Sequence, residues 1–579
     1  MSPRSRIRWG RWRVPVIFVV LALCGTAAVA AANIEVGGEP EPPPSATASP
    51  ETSRPLTYLG RPPTSLVPLA MLPALDGQPA DFQFEWGTAS GVPDRYFVPI
   101  VAMGTGIDAL KSADLQGLVD GRLSDWRNVL GLPGPVTFAV AGPAEDRAAV
   151  AAFTDGAKPD QSFDTYDSLY AAMTMSSGIV AFVPLEEVRM QVTAIAIDGI
   201  DLVRGRGTPR DWPYADRVTV RGLTSRGETL APDLGARVQV KTPRPTTIVA
   251  TGDIIPARCT LTRIEALGSW TAPLATPLGD YLRSADLTLA SLDSSIQDAS
   301  PPFGCEVMTN LTSPPQAIQL LTAGGIDEVT VATNHPFDCG RNPCGDQAFL
   351  QTLDRVNAAG IKTVGGGRNL DQALTPAIFE INGITFGVLG FDDIAAMDLE
   401  ATATEPGTAP LDDDYSQERA AGEPAFYRPA SDLGLSRFVG AIKTLKQQVD
   451  VVIVQVHSGI EETHDPSPRT IKALRAAADA GADLVIGNHT HWAQAVEERG
   501  NAFIAYALGN FIFDQVQTEE HTEGYLVEAT FWSGRLVNVR LRPYVIVDQT
   551  TPTFLSGSRR TGVLDDVFSA TTDLPTATP

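Results

Sequence analysis

From Thr246 onward, short apolar segments alternate with segments of helical periodicity. The apolar runs are unbroken and rich in β-branched residues, and they occupy positions 247–251, 287–290, 329–332, 386–389, 451–456, 484–486 and 502–506. Strands of this kind are buried on both faces, which is typical of a sheet covered by helices. The pattern predicts a layered α/β domain over residues 246–545, with its functional loops after the carboxyl ends of the strands.

Polar side chains of the metal-binding type follow five of these predicted strands. They are Asp253, Asp293, Asn334 and His335, His457, and His489 with His491. Imidazole nitrogens combined with carboxylate and amide oxygens favour Zn, Mn, Fe or Co over Ca. A carboxylate shared by two ions ~3.5–4 Å apart suits attack on a phosphoryl group. We therefore expect a two-metal hydrolase site, with His335 as the general acid at the leaving group.

Six ordered motifs in this region resemble those of the CapA/PgsA capsule-synthesis family. They are TGDIIPAR (251–258), ADLTLASLDSSI (285–296), ATNHPFDCG (332–340), VQVHSGIEE (454–462), GADLVIGNHTHWAQAVE (481–497) and YALGNFIFDQ (506–515). The resemblance implies a calcineurin-like metallophosphatase fold and an association with poly-γ-glutamate production. It also implies two bound divalent ions, with Mn, Zn and Fe as the candidates.

The same resemblance implies a role for each candidate residue. Asp253 becomes a ligand of the first metal, Asp293 stands where the family usually has a bridging Glu, and His335 becomes the catalytic histidine. The further metal ligands implied are Asn334, His457, His489 and His491. The residues implied to line the substrate pocket are Arg258, Glu461 and Asn510. Position 255 is Ile where ordinary metallophosphatases carry a His, so the first metal has one ligand fewer.

Residues 58–240 form a second predicted domain of short strands and helices. The segments LQGLVDGRLSDWRNVLG (115–131), MSSGIVAFVPLEEV (175–188) and AIAIDGIDLV (194–203) resemble the phosphate type of extracytoplasmic solute-binding protein. We find no Ser/Thr/Gly run at a helix start that would commit this domain to phosphate. A smaller α/β domain used for docking is favoured over a working receptor.

The two ends of the chain have the composition of targeting and linking segments. Five arginines precede an apolar run within residues 1–32, which predicts a secretory signal peptide or a retained signal anchor. Lipidation at Cys24 is a third reading, which the bulky Leu23 disfavours. Residues 33–57 are predicted to be a disordered linker, and 546–579 an extension with a polar tail. The folded part is expected to be extracytoplasmic, either anchored at the cell surface or secreted.

Past the signal segment, the chain has Cys259, Cys305, Cys339 and Cys344. An even number in an oxidising compartment predicts disulfides. Cys339 and Cys344 enclose a short loop and are paired here, which leaves Cys259 with Cys305. The rival is a four-thiolate zinc site, although the usual Cys-x-x-Cys spacing is missing.

The formal net charge of −24 argues against binding to nucleic acid, and no Lys/Arg-rich run occurs after the signal segment. The acidic segment 411–415 is expected to be a solvated insert, and His521 to be exposed.

Three functions remain open: a metal-dependent hydrolase or transferase acting on an envelope polymer or phosphorylated precursor, a non-catalytic accessory protein of a membrane synthase or export complex, and a solute-binding sensor. An acidic body also disfavours a polyanion such as poly-γ-glutamate unless metals or local basic residues offset its charge.

Overall fold

The structure is a computed structural model. It describes residues 54–67, 69–87, 90–130, 134–298, 305, 310–339, 346–395, 397–413 and 429–578. The predicted signal segment 1–32 and Cys24 therefore lie outside the described residues, as do positions 33–53 of the predicted linker. Residues 55–579 form one compact unit, which contains both predicted domains. In the described part of the chain, no helix is both long and apolar enough to cross a membrane.

The amino-terminal region is built on one mixed sheet, in the order β2-β1-β3-β11-β4-β8-β6-β7, with β9 beside β4. Its elements are β1 Leu56–Leu59, β2 Met71–Pro73, β3 Phe82–Trp86, β4 Val92–Ala102, β5 Ala109–Leu110, α1 Ser112–Val119, α2 Arg127–Leu130, β6 Thr137–Ala141, α3 Ala144–Phe153, β7 Gln161–Phe163, α4 Tyr166–Met175, β8 Ile179–Pro184, β9 Val192–Ala194, β10 Ala196–Ile197, β11 Ala215–Gly222 and α5 Ser225–Arg237. The strands predicted at 96–102, 136–141 and 178–182 correspond to β4, β6 and β8.

The carboxyl-terminal region contains two larger sheets. Its elements are β12 Pro245–Ile254, α6 Arg258–Ala266, α7 Pro277–Arg283, β13 Leu287–Leu292, β14 Ser295–Ile296, β15 Thr312–Ser313, α8 Ile318–Gly324, β16 Glu328–Thr330, α9 Asp346–Ala358, β17 Lys362–Val364, β18 Gly366–Gly367, α10 Leu370–Ala373, β19 Ala377–Ile381, β20 Ile384–Asp392, β21 Gly407–Thr408, α11 Ser436–Lys446, β22 Val451–His457, α12 Pro468–Ala480, β23 Leu484–Asn488, β24 Val496–Arg499, β25 Ala502–Ala505, β26 Asn510–Ile512, α13 Glu519–Thr522, β27 Glu523–Trp532, β28 Arg535–Val547, β29 Thr551–Phe554 and α14 Gly557–Thr572.

These two sheets pack face to face. The first has the order β17-β16-β13-β12-β27-β28-β29, and the second has the order β19-β20-β22-β23-β25-β24. Side chains such as Ile248 and Leu289 of the first sheet meet Val388, Ile453 and Ile486 of the second in one buried core. Helices α7, α8 and α9 cover the outer face of the first sheet. Helices α11 and α12 cover the outer face of the second. The layered α/β prediction is confirmed.

Local sequence explains why α12 begins and ends where it does. The hydroxyl of Ser467 accepts a hydrogen bond from the Thr470 amide, and Pro468 occupies the first helical turn. Gly481 ends the helix with φ of 111°, a conformation that glycine adopts without strain. The helix therefore stops just before β23, the strand that leads into His489 and His491.

The chain beyond residue 545 continues this fold. Strand β28 runs to Val547, β29 pairs with it, and α14 follows. Val563, Leu564 and Val567 of α14 are buried. Burying aliphatic side chains of this size stabilises a fold by ~1.5–3 kcal/mol each. The segment 546–572 is thus part of the folded body.

A buried polar junction joins the two regions. The Arg540 guanidinium lies 2.7 Å from Asp201, and Arg204 lies 2.7 Å from Glu528. The Trp532 indole also donates a hydrogen bond to the Val203 carbonyl at 3.1 Å. The amino-terminal sheet is therefore fixed to strands β27 and β28.

Candidate functional site

Strand ends from both sheets bring the predicted metal ligands to one buried place. Strands β12 and β13 run parallel, as do β22 and β23, so their carboxyl ends share an edge. Asp253 lies near the end of β12, and Asp293 directly follows β13. His457 ends β22, and His489 directly follows β23. The order and direction of the strands therefore bring these four side chains together.

His457 lies at the centre of the cluster. Its Nδ1 is 3.9 Å from Oδ1 of Asp253, and its Nε2 is 3.9 Å from Oδ1 of Asp293. The same Nε2 lies 2.8 Å from Oδ1 of Asn334. The backbone amide of His489 donates to Oδ2 of Asp253 at 3.2 Å, and the His457 and His489 rings are 4.9 Å apart.

His491 lies next to His489 and is held by Asn510. Its ring centroid is 6.1 Å from that of His489. Its Nδ1 lies 2.9 Å from Oδ1 of Asn510, and the Asn510 amide donates to the carbonyl of His521 and to Gln515. Asn510 is fully buried. Asn510 therefore orients the His491 ring, a predicted metal ligand. Histidines that bind metals commonly have such a hydrogen-bond partner on their other ring nitrogen.

The other two predicted substrate residues lie in different surroundings. Glu461 is about half exposed, and its carboxylate lies 3.9 Å from Nε2 of His489, so it lies at the mouth of the cluster. The Arg258 guanidinium pairs with Asp514 and lies 4.6 Å from the centre of the Phe513 ring. Arg258 therefore holds the start of α6 against the segment after β26.

His335, the predicted general acid, lies beside the cluster and is about a quarter exposed. Its Nδ1 is 2.9 Å from the carboxylate of Asp338. Partial burial lowers the pKa of His335, but the carboxylates of Asp293 and Asp338 outweigh it and raise that pKa to about 9. The ring is thus cationic near neutral pH, with Asp338 fixing its orientation. Asp338, three residues beyond His335, was missed by sequence reasoning.

The buried carboxylates carry the strongest sign of a missing charge partner. Oδ1 of Asp253 and both carboxylate oxygens of Asp293 are buried and have no hydrogen-bond partner of normal geometry among the described residues. Burial and the Asp293 charge raise the pKa of Asp253 to about 7, and burial raises that of Asp293. Buried charges without partners are costly, so proteins pair them or bind them to metals.

The histidines in the cluster are suited to ligation. Burial lowers the pKa of His457 and His489 well below the usual value, and it also lowers that of His491 against the opposing charge of Asp253. The rings are therefore neutral near neutral pH, as metal ligation requires. His489 and His491 have φ of 101° and 61°, which strains non-glycine backbone by ~1–3 kcal/mol each.

The carboxylate, amide and imidazole groups of the cluster are of the types that bind divalent ions, but the distances between them are slightly longer than in an occupied metal site. Two donors that share one ion at ~2.1 Å lie ~3–3.5 Å apart, so the 3.9 Å pairs are about half an ångström too far apart. In the part of the chain that the structure describes, no three His, Cys, Asp or Glu side chains converge closely enough to hold one ion. Ligation would need small inward movements of side chains that are already adjacent.

A buried ion-pair network lies behind His457 and corrects the expectation for segment 411–415. Arg469 contacts the carboxylate of Asp393 at 2.7 Å and that of Asp412 at 2.8 Å. The Asp393 amide donates to the His457 carbonyl at 3.0 Å. Asp412 is buried because Arg469 supplies its counter-charge, so the prediction of a solvated insert was wrong there. Residues 414 and 415 lie outside the described residues.

Two further predictions can be compared with the structure. His521 is buried, at 1% exposure, because its carbonyl and ring are used in hydrogen bonds to Asn510 and Thr518, so the expectation of exposure was wrong. Cys259 and Cys305 form a disulfide with Cα atoms 4.2 Å apart, as predicted. Cys344 lies outside the described residues, so its pairing with Cys339 stays a prediction.

Comparison with known proteins gives a family match over the region that contains the cluster. Residues 247–515 match the family model described as bacterial capsule synthesis protein PGA_cap. The PGA biosynthesis protein CapA of Bacillus subtilis is 29% identical over 201 residues, which are 34% of this chain and 46% of that protein. The capsule biosynthesis protein CapA of Bacillus anthracis is 25% identical over 271 residues, 46% of this chain and 60% of that protein. The match thus spans about half the length of these two relatives.

A probable polyglutamine synthesis accessory protein of Mycobacterium tuberculosis is 22% identical over 354 residues, 60% of this chain and 83% of that protein. A hypothetical protein from Thermus thermophilus aligns with TM-score 0.32 and 15% identity, over 52% of this chain and all of that one. An ABC-type phosphate transport receptor from Vibrio cholerae aligns with TM-score 0.23 and 12% identity, over 28% of this chain and 73% of that one. The similarity to the bacterial capsule synthesis protein family PGA_cap therefore rests on residues 247–515, a little under half of the chain.

Proposed function

We propose that the chain is an extracytoplasmic CapA-type protein of capsule or poly-γ-glutamate synthesis, and that its strand-end cluster is a divalent-metal hydrolase site. The names of the curated relatives support the first part. The second part depends above all on one observation: among the described residues, buried carboxylate oxygens of Asp253 and Asp293 have no hydrogen-bond partner of normal geometry, and they lie beside neutral histidines.

The residues proposed to hold two divalent ions, with Mn, Zn and Fe as candidates, are Asp253, Asp293, Asn334, His457, His489 and His491. When bound, such ions would supply Lewis-acid polarisation of a phosphoryl or carbonyl oxygen. Asp293 and Asp253 each lie 3.9 Å from the His457 ring, so two carboxylates flank one imidazole. The Asp393–Arg469 pair holds the His457 backbone, and Asn510 holds the His491 ring.

His335 supplies the proton in this scheme. Its Nδ1 faces Asp338, so Nε2 is the nitrogen left to donate a proton to a leaving group. The ring is partly exposed and next to Asn334, which puts it within reach of a substrate at the cluster. Glu461, half exposed near His489, lies where it can contact the same substrate.

A non-catalytic accessory function is the second candidate. It is favoured by the wide donor spacing and by Ile255, which is buried where ordinary metallophosphatases place a ligand. In that case the protein would act as a component of a membrane synthase or export complex. Its function would then depend on the surfaces that bind other proteins of the complex and not on the cluster.

Activity of Asp253→Asn tests the hydrolase proposal, because this change keeps the side-chain shape and removes the charge. The matched control is Asp479→Asn, which removes an exposed carboxylate elsewhere. The purified full chain should hydrolyse a chromogenic phosphodiester or poly-γ-glutamate when supplied with Mn or Zn, and Asp253→Asn should lose that activity while the control keeps it. Equal activity in all three proteins, or none in the wild type with any of these metals, would favour the accessory function.

A further inference from the structure

A cleft lies at the junction between the amino-terminal region and the turn that joins β27 to β28. Its volume is about 740 Å³, within the ~300–1,000 Å³ range of small-molecule sites, which often form between domains. We call it the junction cleft. Its walls come from residues 64–65, 94–95, 185–186, 237–243 and 532–535. Five separate segments of the chain therefore build it.

Cationic side chains outnumber carboxylates in the junction cleft. The cations are Arg95, Arg237, Lys241 and Arg535, and the carboxylates are Asp94 and Glu186. This excess is unusual in a chain whose formal net charge is −24. In a concave site, an excess of one sign of charge attracts ligands of the opposite sign.

These cations differ in how fully they are already paired. Arg95 is ion-paired with Asp146 and lies 3.6 Å from Asp216. Arg237 has an exposed pair with Asp233 at 2.9 Å, and exposed pairs of this kind contribute little. Lys241 and Arg535 are exposed and have no ion pair within the described ranges of the chain. These two cations are available to a ligand.

The two carboxylates of the cleft differ in exposure, since Glu186 is exposed and Asp94 is not. Asp94 is buried, and its oxygens accept hydrogen bonds from the amide and the hydroxyl of Thr64, each at 2.9 Å. The Ser65 hydroxyl oxygen accepts from the Gln239 amide at 3.3 Å, so its own proton can be donated elsewhere. Buried Trp532 and Leu185 add an apolar wall. Cations, a hydroxyl donor and an apolar wall are the components of an anion site.

We propose that the junction cleft binds an anionic ligand through its carboxylate or phosphate oxygens, with Lys241 and Arg535 as the principal contacts. This assignment uses residues remote in sequence from the metal cluster and does not require bound metal. The identification of the ligand as a stretch of carboxylate polymer rests on the proposed function. On that basis, the cleft is a holding site that lets an acidic protein retain a polyanionic chain.

The test is a charge reversal with a matched control. Lys241→Glu/Arg535→Glu changes the net charge by four units within the cleft. Lys158→Glu/Arg210→Glu changes it by the same amount at exposed positions outside the cleft. Binding of a fluorescent oligo-γ-glutamate to the purified full chain is measured at low salt, with inorganic phosphate as a competitor. Circular dichroism melts establish that both variants are folded.

The cleft variant should bind the oligomer about 100-fold more weakly, because each charged hydrogen bond is worth about tenfold or more in affinity. The control should bind within about threefold of wild type, since its charges are distant and screened. If phosphate competes at comparable affinity, the cleft binds phosphate. If phosphate does not compete, the ligand is a carboxylate polymer. No binding of either anion by wild type, or equal weakening in both variants, would overturn the proposal. Binding by the wild type should be unchanged after divalent metals are removed with a chelator, which separates this outcome from failure of the hydrolase proposal.

Discussion

Arg540→Met tests whether the two regions are held together by their buried charges. Arg540 is 3% exposed. Its guanidinium lies 2.7 Å from Asp201, 3.6 Å from Glu528 and 2.7 Å from the carbonyl of Ala194. Methionine keeps part of the side-chain volume but leaves the two carboxylates and the carbonyl without this partner.

The expected loss is about 3–5 kcal/mol in the free energy of unfolding, the usual result of removing one member of a buried ion pair. The loss should lie towards the lower end of this range, because Glu528 keeps a counter-charge in Arg204, which lies 2.7 Å away. Urea unfolding followed by far-ultraviolet circular dichroism measures it. Arg540→Met/Asp201→Asn should recover part of the loss, since it removes one of the stranded charges.

Arg499→Met is the matched control. Its pair with Asp479 is bidentate but exposed, so the loss should stay within ~1 kcal/mol. A loss below about 1 kcal/mol for Arg540→Met would refute the argument that the junction is held by buried charge. Because the junction fixes the two regions to each other, we expect the wild type to unfold in one transition, and a separate first transition would refute this expectation.

Three further predictions concern stability and the site. Burial raises the pKa of Glu498 from 4.5 to about 7, so ionisation of this carboxyl lowers the stability of the fold as pH rises through that window. In thermal melts, Glu498→Gln should therefore be more stable than wild type at about pH 8, by up to ~3 kcal/mol. The two proteins should be equally stable at about pH 4. Replacing Cys259 and Cys305 with serine removes a disulfide that closes a sequence separation of 46, and should cost up to about 4 kcal/mol in urea unfolding. Gly252→Ala should abolish metal-induced thermal stabilisation, because its Cβ would lie 1.9 Å from the Gly509 carbonyl oxygen and displace Asp253.

Much of the layered domain could be predicted from sequence because its signals are local. An unbroken β-branched run identifies a buried strand wherever it occurs, and a polar residue at its end marks an edge of the sheet. This reasoning predicts Asp253, Asp293, His457 and His489 at strand ends, and they lie at or next to the ends of β12, β13, β22 and β23. The two-sheet arrangement depends on which strands pair, and periodicity does not encode pairing.

Features set by distant partners could not be predicted. Asp412 looks like a solvated residue in its own segment, and it is buried because Arg469 lies 57 positions away in the chain. The junction cleft likewise gathers Lys241 and Arg535 from segments that are far apart in the chain. Helix α14 has a mostly polar sequence, and its docking depends on a few apolar side chains on one face.

Metal stoichiometry tests the central claim most directly. The full chain is purified, stripped with a chelator, reloaded with Mn or Zn and desalted, and its metal content is measured by inductively coupled plasma mass spectrometry beside Asp253→Asn and Asp479→Asn. We predict roughly two ions per chain for the wild type and for Asp479→Asn, and a loss of at least one ion for Asp253→Asn. Wild-type protein that retains no metal, or the same content in all three proteins, would contradict the assignment of the strand-end cluster as a metal centre.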